Sequence, residues 1–252
     1  MKKILFIGNS HTYMNDMPEL TRQMIENIIV EECQVFMLAY SARSLKWHMK
    51  EEYFSERFNI LHGHYDYCII QEYAHPLPDF NDTVKYANEI IELCRKVGTT
   101  PIIYETWAEK NNPENQDEMN RRYRKIASDE NVMIAPIGEI WSKVLQELKT
   151  IPNADLYYKD GAHASALGDY LVSMCLAKTI TGKLPEPAFT NAFDFTLPDD
   201  EWNHVKTNIE EEKVTIPENI TNIIRNNIEL HINLINTDFL TYGETSHGIY
   251  RQ

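Results

Sequence analysis

Five short apolar runs divide the first two-thirds of this chain, and each is followed by a stretch of helical periodicity. The runs are Ile4–Ile7, Gln34–Tyr40, Tyr65–Ile70, Pro101–Tyr104 and Val132–Ala135, rich in β-branched and aromatic residues. Helical spacing predicts helices over Pro18–Glu32, Thr83–Val97, Asn115–Asp129, Ile137–Leu148 and Ala164–Thr181, with Gly98 and Gly182 as C-terminal stops. A near-continuous apolar strand must be buried on both faces. Strand–helix alternation therefore predicts an α/β fold: a three-layer α/β/α sandwich around a five-stranded parallel sheet, spanning residues 1–185. Residues 186–252 read differently. Ile220, Ile223, Ile224, Ile228 and Ile232 stand at partly helical spacing, so a C-terminal helical extension is expected to pack on the domain or against another subunit. Glu210–Glu212 reads as a solvated helix end.

Composition narrows the function. A formal charge of −14 over 252 residues disfavours nucleic-acid and anionic-membrane partners, which need basic patches. The apolar run behind Met1-Lys2-Lys3 breaks at Gly8-Asn9, too early for a secretory leader, and no stretch approaches the ~18 apolar residues of a membrane span. A cytoplasmic protein is expected. Cys33, Cys68, Cys94 and Cys175 form no CxxC pair and read as buried thiols. His62-Gly63-His64 and His75 lack metal-site spacing, and no glycine-rich phosphate loop is present, so neither a metal nor another cofactor is expected.

The polar residues at the strand ends carry the chemistry. In a parallel sheet of this kind, ligands bind beyond the carboxyl ends of the strands. Ser10 follows the first strand after a tight turn at Gly8-Asn9, ahead of a helix for which Asp16 and Pro18 are start signals. Asp160 and His163 are three residues apart in a turn before another helix. A serine nucleophile needs a base, and the base needs an orienting group. Asp160 could hold one ring nitrogen of His163 while the other faces Ser10. Ala42 and Gln71 follow the second and third strands. The backbone N–H groups of Ser10 and Ala42 and the Gln71 side-chain amide are candidate oxyanion donors. Read separately, Ser10 is a polar turn residue and Asp160 a helix cap; their placement on one edge gives them joint meaning. Trp47, His48, Tyr73, Trp107 and Tyr158 fall near that edge, as walls for a sugar ring or acyl group or as ordinary rim aromatics.

Gly8-Asn9-Ser10-His11-Thr12 resembles the first block of the SGNH (GDSL-like) hydrolases, and Asp160-Gly161-Ala162-His163 resembles their last block. The resemblance spans residues 1–185. It implies a catalytic triad of Ser10, Asp160 and His163 and an esterase working through an acyl-enzyme, with O-deacetylation of carbohydrate as one such activity. Ala42 stands where the family's second block has glycine, and Gln71 where the third has asparagine. Gln71 keeps the amide but adds a methylene, and alanine resists the positive φ that glycine accepts. A small-molecule or carbohydrate ester is the implied substrate. The alternative is a binding module that keeps the hydrolase fold without its activity.

Overall fold

The computed structural model describes residues 1–50, 52, 54–186, 192–193, 211–212 and 216–246, of which 192–193, 211–212 and 233–246 are described by backbone alone. Five strands form one parallel sheet: β1 (Lys2–Gly8), β2 (Cys33–Ala39), β3 (Tyr67–Gln71), β4 (Thr100–Tyr104) and β5 (Met133–Ala135). Their spatial order is β2-β1-β3-β4-β5. The order reverses between β1 and β3, the topological switch point at which such sheets open a crevice. In register, Ile4 lies beside Val35 on one side and Tyr67 on the other.

Alternate side chains of each strand feed separate cores. Ile4 and Phe6 face α2 (Met17–Ile29), α7 (Ile137–Leu148), α8 (Ala166–Thr181) and α9 (Glu218–Ser246). Leu5 and Ile7 face α3 (Leu45–His48), α4 (Phe54–His62), α5 (Phe80–Val97) and α6 (Gln116–Glu130). Both sets are buried, as continuous apolar strands require. The serine lies in a further short helix, α1 (Ser10–Tyr13).

Several boundaries move for local reasons. Helix α2 ends at Ile29 because Val30 turns left-handed at φ 54° while its N–H donates to Glu26 O. Helix α5 starts at Phe80, since Asp79 accepts from the N–H groups of Asn81 and Asp82. Strand β3 starts at Tyr67 because Asp66 turns its carboxylate onto the Lys3 N–H at 2.8 Å. In α9, Ile220, Ile224, Ile228 and Ile232 form one buried stripe. This helix packs on α7 and α8, with Asn227 Nδ2 donating to Glu147 Oε1 at 2.8 Å and Lys178 paired with Glu229 at 3.1 Å. Glu211–Glu212 are not a helix end: they pair antiparallel with Ala192–Phe193, while Glu210 lies outside the described residues. Consecutive like charges carry no period that separates helix from strand. All four cysteines are buried and unpaired. Among the described residues, no helix is long and apolar enough to cross a membrane.

Candidate active site

Strand β1 delivers the chain to the switch point, and Asn9 turns it. The Asn9 side chain caps α1 by accepting from the His11 N–H at 3.1 Å, which leaves Ser10 as the first helical residue. Gly8 is needed here for space. A Cβ at this position would collide with Gln71 Oε1 and Thr12 Oγ1. The Gly8 carbonyl accepts from Tyr40 N at 3.1 Å and lies 2.8 Å from His48 Nε2, which fixes the end of the strand from the other side.

The Asp160–His163 turn approaches from the loop before α8. His163 Nε2 lies 2.8 Å from Ser10 Oγ, and His163 Nδ1 lies 2.6 Å from Asp160 Oδ2. A carboxylate only accepts, so Nδ1 carries the proton and the Nε2 lone pair faces the serine hydroxyl. Burial pushes the Asp160 carboxyl up. The hydrogen bonds from Ala162 N, the His163 ring and His163 N, with the His163 charge, outweigh burial and hold it below its ordinary value. Asp160 Oδ1 accepts both backbone N–H groups, at 2.9 and 3.0 Å. Gly161 makes the turn possible at φ 73°.

The other two sequence candidates separate. Ala42 stands beside the serine turn: Asn9 Nδ2 donates to Arg43 O at 3.0 Å, and Arg43 N closes the bend onto Tyr40 O. Ala42 takes φ 55°, the conformation expected of glycine. Gln71, expected as an oxyanion donor, is turned inward instead. Its Oε1 accepts from Asn9 N at 2.8 Å and Thr12 Oγ1 at 3.0 Å, and its Nε2 donates to Glu72 O. The buried Asn9 N–H needs an acceptor, and the longer glutamine side chain supplies one from beneath the turn. Glu72 points elsewhere, accepting from Leu45 N at 3.0 Å and Tyr73 N at 2.6 Å. Burial raises its pKa, opposed by those two N–H groups.

Further residues surround the relay. The His11 ring packs 4.9 Å from His163, 5.1 Å from His75 and 5.2 Å from Trp107. Burial, then the nearby His163 and His75, holds His11 well below the ordinary histidine range, so its ring is neutral. Trp107 is no sugar platform: it is fully buried, stacks on Trp141 at 4.1 Å and donates Nε1–H to Ala162 O at 2.9 Å. His48 is likewise buried beneath the Gly8 carbonyl. Asn15 joins the two halves, its Nδ2 reaching Asp169 Oδ2 at 2.6 Å and Ala164 O at 3.2 Å. Side-chain identity in a polar loop gave no sign of this link. A signal for His11 was its place directly behind the serine.

No family model matches this chain, and no curated protein matches it. Solved structures do. A lipase/acylhydrolase from Enterococcus faecalis superposes with a TM-score of 0.56 at 16% identity, covering 73% of this chain and 97% of that one. The chain has the SGNH (GDSL-like) hydrolase fold. TesA aligns at 0.55 and 11% identity over 72% of this chain and 99% of its own. The acetylxylan esterase Axe2 from Geobacillus stearothermophilus aligns at 0.51 and 16% over 71% and 92%.

Proposed function

We propose that the protein is a serine esterase that cleaves carboxylic esters through an acyl-enzyme, with Ser10 as nucleophile, His163 as base and Asp160 as orienter. One observation carries this reading: the continuous relay from Ser10 Oγ through both His163 nitrogens to Asp160, with 2.8 and 2.6 Å links. His163 Nε2 takes the serine proton as Oγ attacks the carbonyl carbon. Charge gathers on the carbonyl oxygen, and the backbone N–H groups of Ser10 and Ala42 are the donors proposed for it. The C–O bond breaks, and His163 returns the proton to the departing alcohol. Water then gives its proton to His163 and attacks the acyl carbon, the bond from that carbon to Ser10 Oγ breaks, His163 returns the proton to Oγ, and the acid leaves. The acetylxylan esterases among the structural neighbours support an acetylated carbohydrate as substrate.

The inward turn of Gln71 favours one contrary reading, a binding module whose oxyanion site is too poor to work. A fluorophosphonate probe separates the two. Labelling mapped to Ser10, with acetyl-ester turnover falling ~10³-fold or more in Ser10→Ala, is expected of the esterase. An unlabelled wild-type protein without esterase activity would leave the binding module.

A further inference from the structure

A cleft of about 480 Å³ opens beside the relay on the same sheet edge, a size typical of small-molecule sites. One wall is the loop behind β3, from Ala74 to Leu77, and the other runs from Ala108 to Arg122. His75 belongs to both places: it lines the cleft, and its ring packs on His11, the neighbour of His163. Its Nε2 is buried with no hydrogen-bond partner. The far wall is tied to the histidine turn, since Lys110 N donates to Gly161 O at 2.8 Å.

The side of the nucleophile matters. His163 must hand its proton to the departing alcohol, so that half of the ester lies on the histidine side. The cleft is on that side, over β3 and β4. The Ala42 bend follows β2, across β1 from it.

Charge then selects the alcohol. The Glu118 carboxylate is satisfied by Arg121 at 2.5 Å and Arg122 at 2.8 Å. Lys110 is taken by Asp155 at 2.5 Å. Glu109 accepts from Asn112 Nδ2 at 2.8 Å and, among the described residues, is joined by no ion pair. The rest of the cleft is lined by side-chain amides, a mostly buried imidazole, the paired Glu118 and Arg122, and apolar patches from Leu77 and Met119. Hydroxyl groups can donate to Glu109 and exchange hydrogen bonds with the amides, whereas an anion would face Glu109 while the guanidinium that lines the cleft, Arg122, is already held by Glu118.

We propose that this cleft seats the alcohol half of the ester, that it takes a neutral, hydroxyl-rich alcohol, and that Glu109 is the residue that sets this specificity. The proposal rests on the esterase reading and deepens it. The test compares kcat/KM on an O-acetylated methyl xyloside and an O-acetylated methyl glucuronide, with 4-nitrophenyl acetate reporting on hydrolysis as such. The wild type should prefer the neutral sugar at least tenfold. Glu109→Lys should reduce that ratio at least tenfold, and Glu109→Gln should fall between, as expected for a hydrogen bond to a charged group. In parallel, methyl xyloside is titrated into the wild type while the Asn112 and Asn115 side-chain amide signals are followed by NMR. Turnover of 4-nitrophenyl acetate with equal rates on both sugars and unmoved signals would overturn the cleft assignment and leave the esterase standing. Shifted amide signals without any ester turnover would support the cleft and refute the esterase.

Discussion

Replacing Gln71 by leucine tests whether this side chain builds the serine turn or acts on the oxyanion. Gln71 is 1% exposed and makes three hydrogen bonds in a closed pocket. Leucine has nearly the same volume, so the apolar packing term is small. The polar cost is not. The buried Asn9 N–H loses its acceptor, and an unsatisfied buried donor costs ~1–3 kcal/mol. The Glu72 carbonyl loses a donor at a cost of about 1 kcal/mol, and the Thr12 hydroxyl, free to rotate, adds less. A loss of about 3–5 kcal/mol is expected, a large share of the ~5–15 kcal/mol that holds a typical domain.

The kinetic consequence is distinct. A freed Asn9 N–H lets the chain shift at the residue before Ser10, and a displacement of about 1 Å at a nucleophile can cost ~10² in rate. Stability and kcat should therefore fall together in Gln71→Leu. Thr12→Val, which removes only one of the two donors to Oε1, should lose about 1 kcal/mol and little activity. Urea unfolding followed by tryptophan fluorescence, beside turnover of an acetyl ester, measures both. A transition-state donor would instead lose ~10²–10³ in kcat with unfolding unchanged. A kcat loss of that size, with stability within about 0.5 kcal/mol of wild type, a typical surface-substitution change, would refute the inward role assigned to Gln71.

Two further substitutions probe the frame. Asn15→Gly keeps the φ of 51° available but removes the amide between Asp169 and Ala164, and should cost about 1–3 kcal/mol in urea unfolding while lowering kcat; an unchanged kcat would mean that this link does not position the serine relative to the histidine. Burial raises the Glu105 carboxyl to about 8, partly opposed by the Glu139 N–H at 2.9 Å. An acid with a raised folded-state pKa stabilises fully only below its unfolded value, so this contribution is lost as pH rises from about 4.5 through about 8. Unfolding curves for wild type and Glu105→Gln should diverge across that window, by up to about 1.4 kcal/mol per pH unit in the wild type's disfavour, and parallel curves would reject the assignment.

The layered fold was legible because each strand is an apolar run bounded by turn or cap residues, and that pattern admits few other arrangements. The short distance between Asp160 and His163 was legible for a similar reason: a three-residue spacing with glycine inside forces a tight turn. Gln71 was harder. Strand alternation correctly separates it from Glu72, since one reaches the serine turn and the other Leu45. Alternation says nothing about which unsatisfied backbone group each will find. Asn9 N–H exists as a problem only after β1 and β3 pair. His75 and Asn15 were opaque for the same reason: their partners His11, Ala164 and Asp169 lie 64 to 154 positions away, and local sequence carries no trace of such partners.

With Gln71 withdrawn, the oxyanion site proposed above depends on two backbone N–H groups, and one residue holds both turns that carry them. Asn9 shapes the helix start that presents Ser10 N–H, through its Oδ1 and the His11 N–H. Through Nδ2 it holds Arg43 O, and with it the bend that presents Ala42. That bend is strained. A left-handed alanine costs ~1–2 kcal/mol relative to ordinary backbone, and such strain persists only where the surroundings over-determine it. The surroundings here are the Tyr40–Gly8 and Arg43–Tyr40 backbone bonds and the Asn9 amide. Asn9 is in turn held by Gln71. The departures at positions 42 and 71 from the pattern that the sequence resembles thus belong to one device: glutamine turns inward to anchor asparagine, and asparagine holds alanine in the conformation that a glycine would take freely.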